Sequence, residues 1–271
     1  KLEAIGIYTM GDIAKCSIGK PSEYYNAELL YQMFGINAEL LIDHAWGYES
    51  CTIAQIRAYK PQSSSLGCGQ VLHCPYTADK ARIVVQEMID GISLELVEKR
   101  LVTDQLVLTV GYDIENLTRP EIRKVYKGPV TTDRYGRRVP KHAHGTWNLP
   151  RATSSSSELL EAMAALYDKI VNPALLIRRM SLSACHVVNE KMAKEREQKE
   201  TFEQLDLFTD YAKKEAKEKE EQKKRERERR MQEALLTIKK KYGKNAVLRG
   251  MNFEEGATAK ERNGQIGGHQ A

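Results

Sequence analysis

Apolar residues recur every three or four positions through the first fifty residues, which predicts that this part of the chain is helical. Two runs separated by a glycine carry the pattern: Leu29, Leu30, Met33 and Phe34, then Leu40, Leu41 and Ala45. Gly6 breaks the pattern near the start, and Thr9 followed by Asp12 has the spacing of an N-terminal capping box, with Asp in place of Glu. Residues 51–62 have no clear period and contain a proline, so we predict a linker there.

Residues 63–190 alternate between strand patterns and helix patterns. In the first strand pattern, Leu66, Cys68 and Leu72 alternate with Ser65, Gly67, Gly69 and Val71. A helix (78–100), two strands (104–114 and 144–150), a helix that follows the serines 154–157, and a last strand (175–189) come next. The order is β-α-β-β-α-β. A four-stranded antiparallel sheet with two helices on one face satisfies this order, so we predict an α+β domain.

The composition changes near residue 191, where charged residues of both signs replace the apolar pattern. The stretch KEAKEKEEQKKRERERRMQ (214–232) predicts a solvated helix stabilised by opposite charges four residues apart. From Gly243 the chain is rich in Gly, Asn and charge, so we expect weak order there. The predicted organisation is therefore a helical segment 1–50, a linker 51–62, a domain 63–190 and a charged tail 191–271.

Bulk composition limits the class of partner without choosing one. The 271 residues carry a net charge of +5, with 41% hydrophobic but only 7% aromatic residues. That is lean for one large core and is typical of a chain that is partly extended and exposed. A small positive excess is compatible with a nucleic-acid or acidic-membrane partner but requires neither. No apolar run approaches the ~18 residues of a membrane span, so we expect no membrane insertion.

The cysteines form no CxxC pair: Cys16, Cys51, Cys68, Cys74 and Cys185. An odd number of cysteines without a signal peptide predicts a reducing, cytoplasmic environment. His73 near the cysteines 68 and 74, or His142 with His144, does not have standard zinc spacing, and we predict no metal site. The chain opens without an initiator Met, as though inside a helix, which indicates a fragment or a truncated gene product.

One face of the predicted sheet is left without helices, and small or hydrogen-bonding residues lie on it. Small residues allow another backbone to approach closely, and Ser and Arg donate hydrogen bonds to phosphate oxygens. A basic connection, residues 119–141, extends this surface. The predicted phosphate contacts are Ser63, Ser64, Ser65, Gly67, Arg137, Arg138, Arg179, Ser181 and Ser183. The alternative is an ordinary solvated sheet face beside a charged loop.

Several stretches occur in an order that is more specific than any one of them. LEAIGIYTMGDIA resembles the second half of a helix-hairpin-helix, in which backbone N–H groups hold a DNA phosphate, although the preceding Gly-rich hairpin is absent. A segment ending AWGYE, then KPQSSSLGCGQVLHCPYT, and then the β-α-β-β-α-β pattern follow. With the ending KKYGKNAVLRGMNFEEGATAKERNGQIGGH, they resemble the C-terminal portion of a Y-family (translesion) DNA polymerase of the UmuC-like branch.

The resemblance implies that residues 1–50 are a thumb remnant and that residues 63–190 are a little finger. The palm of this family, which precedes the thumb, supplies acidic residues that hold two metal ions for nucleotidyl transfer. Nothing here resembles its Ser-x-Asp-Glu motif, and the acidic residues fall on predicted helices, caps and turns: Asp12, Asp43, Asp79, Asp90, Asp104 and Asp113. We therefore predict no catalytic residue and no cofactor in this chain, and we expect Mg²⁺ for the parent polymerase.

The pentapeptide QLDLF matches the motif by which bacterial polymerases bind the sliding clamp. By this resemblance Gln204 hydrogen-bonds at the rim of the clamp groove and Leu205 fills a small pocket. Leu207 and Phe208 enter a deeper apolar pocket as anchors, and Asp206 takes the small or acidic position between them. An exposed place in a charged flank suits a recruitment peptide. The alternative is a small hydrophobic cluster that docks on the preceding domain.

From the sequence we expect the DNA-binding and clamp-binding region of a translesion polymerase, which serves error-prone DNA repair and SOS damage tolerance. It would hold template-primer DNA through the phosphate backbone, largely without regard to sequence, and would recruit the bacterial sliding clamp. The alternative is a freestanding, non-catalytic protein that binds DNA or the clamp and modulates another polymerase. An open reading frame that continues upstream into a palm would favour the first interpretation.

Overall fold

The computed structural model describes residues 1–49, 51–59, 64–133, 136–200, 211–266 and 269–270, with only the backbone described in 196–200, 211–218, 266 and 269–270. The chain divides into two compact units, Lys1–Gln62 and Ser63–Ala271. It is a mixed α+β protein with an antiparallel sheet, as the sequence predicts. No helix in the described part of the chain is both long enough and apolar enough to cross a membrane.

The first unit is helical. It contains a 3-10 helix (Leu2–Ile5) and the helices α1 (Met10–Ser17), α2 (Ala27–Phe34), α3 (Asn37–Ala45) and α4 (Ile53–Ala58). Its small core consists of Ile7, Ile13, Cys16, Leu30 and Ala38. The predicted capping box is confirmed: Asp12 N donates to Thr9 Oγ1 at 3.1 Å, and Thr9 N donates to Asp12 Oδ2 at 2.9 Å.

The stretch 51–62, which we predicted as a linker, contains α4. A second capping box starts this helix: Gln55 N donates to Thr52 Oγ1 at 3.3 Å, and Thr52 N donates to Gln55 Oε1 at 2.8 Å. The six residues of α4 include no buried side chain. Because nothing in α4 packs against a core, no apolar period marks it in the sequence, and the prediction missed it.

The second unit is built around one main sheet. Its first part contains β1 (Leu66–Tyr76), α5 (Ala78–Lys99), β2 (Leu101–Tyr112), α6 (Glu115–Thr118), α7 (Pro120–Val125), β3 (Val130–Thr132), β4 (Arg138–Pro140), β5 (Ala143–Thr153), α8 (Ser156–Ile170) and β6 (Ile177–Cys185). Its second part contains β7 (Val188–Asn189), α9 (Glu190–Glu200), α10 (Tyr211–Tyr242), a 3-10 helix (Gly250–Phe253), α11 (Ala259–Arg262), β8 (Gln265–Ile266) and β9 (His269–Gln270).

The strands of the main sheet have the order β1-β6-β2-β5, and each neighbouring pair is antiparallel. It follows that β1 and β2 run in the same direction on either side of β6, and that β5 and β6 do so on either side of β2. Helices α5 and α8 make these two connections. The two β-α-β units therefore interlock, and each inserts a strand between the strands of the other.

Alternate residues of the strands face the two helices and form the core. The inward residues of β2 and β6 are fully or almost fully buried: Leu106, Leu108 and Val110, and Met180, Leu182 and Ala184. They pack in one cluster with apolar residues of α5 and α8, among them Val84, Met88, Leu159 and Met163. Burial of this apolar surface is the main stabilisation available to the unit.

Two features interrupt the predicted strand pattern. The connection 115–142 contains α6, α7 and a small hairpin in which β3 pairs with β4. The last strand pattern, 175–189, is split into β6 and β7 at His186, which has a left-handed φ of 52°. His186 Nδ1 lies 2.8 Å from Asp104 Oδ1, and this contact accompanies the turn. The short β7 then pairs with the start of β2.

Helix α10, predicted as solvated, is docked over its C-terminal part. Gln232 is buried, and its Nε2 donates to Ser154 O at 3.0 Å and to Ser156 Oγ at 2.8 Å. One turn earlier, Glu228 Oε1 accepts from Ser157 N at 2.8 Å. These docking contacts are polar, and the charged run 214–232 has no apolar stripe from which they could be predicted. The solvated-helix prediction is wrong for this part of α10.

The chain after Gly243, for which we expected weak order, is also anchored. The carboxylate of Glu87 on α5 is buried and accepts four hydrogen bonds from this segment. The donors are Thr258 N (2.8 Å), Thr258 Oγ1 (3.2 Å), Ala259 N (3.0 Å) and Asn252 Nδ2 (2.7 Å). These hydrogen bonds fix the segment against α5. If the segment moved away, the buried carboxylate and its N–H and O–H donors would lose their partners, which costs free energy.

We expect Glu87→Ala to lower the free energy of unfolding by about 2 kcal/mol or more, because it leaves buried N–H donors of the tail without an acceptor. Urea denaturation followed by circular dichroism measures the change. Glu161→Ala, at an exposed position of α8, is the matched control and should stay close to the wild-type value. Equal stability of the two variants would show that the tail is not anchored through Glu87.

Candidate nucleic-acid interface

The strand register aligns the outward residues of the main sheet in three rows across the face opposite α5 and α8. From β1 through β6 and β2 to β5 the rows are Gly67–Ser183–Val107–Thr146, Gly69–Ser181–Thr109–His144 and, without a β5 member, Val71–Arg179–Gly111. We refer to these residues as the open face. The set contains no Asp or Glu, so nothing in it repels a phosphate by charge.

Small and hydroxyl-bearing residues dominate the open face. A Cβ atom at Gly67 would lie 2.9 Å from Ser183 Oγ, so the glycine leaves room for that hydroxyl group. In the next row, Thr109 Oγ1 and His144 Nδ1 lie 2.9 Å apart, and Ser181 is exposed beside them. A low surface that presents hydroxyl groups suits contact with a sugar-phosphate backbone better than insertion into a groove.

Arg179 supplies the positive charge of the open face. It is exposed, and its neighbours in the register are Val71 and Gly111. Within the described ranges, no side chain or carbonyl lies within hydrogen-bonding or ion-pair distance of its guanidinium group. An arginine without a carboxylate partner keeps its full charge and all its donors for a phosphate ligand.

The basic connection reaches the open face at a depression of about 760 Å³ that lies between the main sheet and the β3–β4 hairpin. Two of the predicted contact residues, Arg179 and Arg137, both line it. However, Arg137 Nε and Nη2 lie 2.9 and 2.8 Å from Asp133 Oδ2. This ion pair offsets the charge of Arg137. Arg138, exposed on β4, is not among the described residues that line the depression.

The predicted serine contacts separate into two groups. Ser181 and Ser183 lie on the open face with Gly67, and Ser65 is exposed just before β1. Ser64, by contrast, donates from Oγ to Val187 O at 3.0 Å and so ties the residues before β1 to the turn between β6 and β7. A phosphate contact by its hydroxyl proton would break that bond. Ser63 and the five predicted clamp-binding residues lie outside the described residues: Gln204, Leu205, Asp206, Leu207 and Phe208.

The turn that resembles half of a helix-hairpin-helix offers little to a phosphate. Tyr8 N and Thr9 N both donate to Asp12 Oδ2, at 3.1 and 2.9 Å, so a carboxylate already occupies N–H groups at this turn. Residues 1–49 contain three lysines and no arginine against seven acidic residues. A surface of this sign disfavours DNA. The open face is therefore the better candidate interface.

Sequence patterns missed the contributions of β2 and β5 to the open face. The alternation in QLVLTVG places Leu106, Leu108 and Val110 inward, which leaves Val107, Thr109 and Gly111 outward. That signal is present in the sequence, but Val107 is an apolar residue at an outward position, so the alternation of apolar and polar residues is incomplete. The pairing of Gly111 with Arg179 depends on the order and register of strands far apart in the chain, which periodicity does not specify.

No family model matches the chain, and no curated protein matches it. Among the described residues, no three His, Cys, Asp or Glu side chains come together in a group that would hold a metal ion. Within the described part of the chain, the open face is the surface whose hydrogen-bonding groups and charge suit a phosphate ligand.

The capping box at the start of α1 gives a prediction about protonation. Hydrogen bonding with the Thr9 side chain, together with the Tyr8 and Thr9 N–H groups, holds the pKa of Asp12 below its ordinary value. Its contribution to stability is therefore present above the unfolded-state pKa and is lost as the pH falls through the folded-state pKa. We expect Thr9→Val to raise the Asp12 pKa towards its ordinary value, as measured by NMR titration of the carboxyl carbon.

Glu49 is the internal control for this titration. Its pKa is also lowered, mainly by a hydrogen bond from the backbone N–H of Cys51, which Thr9 does not touch. Its titration should be the same in wild type and in Thr9→Val. An unchanged Asp12 titration in the variant would contradict the assigned role of Thr9.

Proposed function

We propose that this chain binds template-primer DNA through the phosphate backbone, with the open face as the contact surface. The observation that carries the proposal is the exposed Arg179, without a carboxylate partner among the described residues, within rows of glycine, serine and threonine. Arginine binds phosphate oxygens through two parallel hydrogen bonds, and hydroxyl groups add single ones. The glycines allow the sugar-phosphate chain to come close to the strands.

Binding of this kind is largely indifferent to base sequence. Side-chain amides are among the groups that read base edges, and Gln105 and Asn148 lie at the edge of the open face. Gln105 Nε2 donates to Asn148 Oδ1 at 2.9 Å, so these two amides partly satisfy each other. Recognition through phosphate charge and close approach fits a protein that must hold DNA at any position.

We further propose that the chain is the C-terminal region of a translesion DNA polymerase. The antiparallel β1-β6-β2-β5 arrangement with α5 and α8 on one face supports the little finger that the resemblance implies. In this proposal the helical segment 1–50 takes the place of a thumb remnant. In this proposal nucleotidyl transfer, with its Mg²⁺, belongs to a palm outside this sequence. The role of this chain is to grip DNA and to recruit the sliding clamp.

We expect Arg179→Ala to weaken binding to all DNA sequences alike. The plot of log K against log salt should become less steep by about 0.9, because one phosphate contact of duplex DNA is lost. Fluorescence anisotropy with a labelled primer-template at several salt concentrations measures both quantities. Arg137→Ala should have a smaller effect, because its charge is already offset by Asp133.

Arg230→Ala is the matched control for the salt titration. Arg230 is 81% exposed on α10, which is not part of the open face, and its ion pair with the exposed Glu226 is long, at 3.9 Å. Its removal deletes the same charge from the protein and should leave the salt slope close to the wild-type value. If Arg179→Ala and Arg230→Ala behave alike, DNA is not held on the open face.

For clamp recruitment we expect an affinity in the micromolar range, roughly −8 kcal/mol, because an isolated pentapeptide buries little area. Leu207→Ala and Phe208→Ala should each cost roughly 2 kcal/mol or more, as buried apolar anchors do, while Asp206→Ala should cost little. Surface plasmon resonance on an immobilised bacterial clamp measures these values.

The melting temperature decides between recruitment and packing for the same pentapeptide. A recruitment peptide is not part of a core, so neither anchor substitution should change the melting temperature of the domain. Intact clamp binding by Phe208→Ala together with a lowered melting temperature would instead identify QLDLF as a packing element.

A further inference from the structure

Gly111 and Arg179 face each other across the pairing of β2 with β6. A Cβ atom built at Gly111 would lie 2.6 Å from Arg179 Cγ, 2.7 Å from Nε and 3.2 Å from Cδ. Real Cβ atoms essentially never approach non-bonded heavy atoms of distant residues to less than 3.0 Å. The side chain of Arg179 therefore lies flat across Gly111, in space that every residue other than glycine would occupy.

The other neighbour of Arg179 offers no such space. Val71, on the β1 side, is a β-branched residue that is 71% exposed and rises from the open face. Gly111 is buried although it belongs to the outward row, as expected if the stem of Arg179 covers it. The stem thus crosses the sheet from β6 over β2, and the side chain contributes to the wall of the depression beside the β3–β4 hairpin.

We propose that Gly111 is a positioning residue for phosphate binding, acting through Arg179. This inference rests on the proposed function of the open face. Because Gly111 has no side chain, the aliphatic part of Arg179 can lie against the strand, and this fixes the position of the guanidinium group. The Arg179 side chain then loses less conformational freedom when a phosphodiester binds. A side chain at position 111 would lift Arg179 off the sheet and move its charge away from the place where the phosphate is held.

The test is a double-mutant cycle with Gly111→Ala, Arg179→Ala and the double variant in the full chain. Affinity for a labelled primer-template is measured by fluorescence anisotropy across a salt series. Each single variant should weaken binding by a similar factor and lower the salt slope by a similar amount. The double variant should bind no more weakly than Arg179→Ala, because Gly111 acts only through that arginine.

Gly69→Ala is the matched control, since Gly69 also lies on the open face but a Cβ there would meet only Met180 O, at an ordinary 3.7 Å. Any effect of Gly69→Ala comes from obstruction of the approaching DNA and not from Arg179. The fold-loss of DNA affinity caused by Gly69→Ala should therefore multiply with the fold-loss caused by Arg179→Ala when the two are combined. If the fold-losses of affinity caused by Gly111→Ala and Arg179→Ala also multiply in the double variant, Gly111 does not act through Arg179 and the positioning role is overturned.

Thermal melting keeps the cycle interpretable if Gly111→Ala is poorly stable. The added Cβ meets the side chain of Arg179, so Arg179→Ala should restore the melting temperature that Gly111→Ala loses. A loss that persists in the double variant would place the clash elsewhere and overturn the inference. If Arg179→Ala alone leaves affinity and salt slope unchanged, the proposed function itself fails. If only Gly111→Ala is without effect on binding, the positioning role alone fails.

Discussion

Inward apolar residues and outward polar residues alternate along β6, and both the core and the candidate interface depend on this alternation. This strand lies between β1 and β2, so its two faces are fixed by two registers at once. Met180, Leu182 and Ala184 enter the core, while Arg179, Ser181 and Ser183 form the middle of the open face. A slip of one residue would bury the arginine and expose the apolar set. The hydrophobic effect that stabilises the unit therefore also presents the groups that we propose bind phosphate.

Helix α5 has a comparable double role on the other side of the sheet. One of its faces packs against the strands, and the buried carboxylate of Glu87 holds the segment around Thr258. The described tail residues add bonds to Gln70, whose neighbours along β1 include the inward residues Cys68 and Leu72. The tail thus forms a further layer beside the helices. The contacts of its described residues with Gln70 and Glu87 lie on the side of the sheet opposite the open face.

Charge acts here through its placement and not through its total. The net charge of +5 is small for a DNA-binding protein, and much of the positive charge near the open face is paired. Arg137 is held by Asp133, and Arg178 Nε lies 3.8 Å from Asp113 Oδ2. Arg179 is the exception among the described residues that line the depression, because glycine and valine flank it and no carboxylate lies in its row. Asp113, Glu115 and Asp133 also line the depression, but none of them lies within ion-pair distance of Arg179 among the described contacts, so the donors of its guanidinium group are available to a phosphate ligand.

The sequence by itself determined those features that depend on neighbours along the chain. The period of two placed Gly67, Ser181 and Ser183 on one face, and the capping box of Thr9 and Asp12 followed from a spacing of three residues. The tertiary structure alone decided that Gly111 lies against Arg179 and that the tail docks on Glu87. Gly111 and Arg179 are 68 positions apart in the chain, and Glu87 and Thr258 are 171 positions apart. The first contact depends on the absence of a side chain at Gly111, and the second depends on polar groups. Neither leaves a period in the sequence, because only apolar burial on a regular helix or strand repeats along the chain.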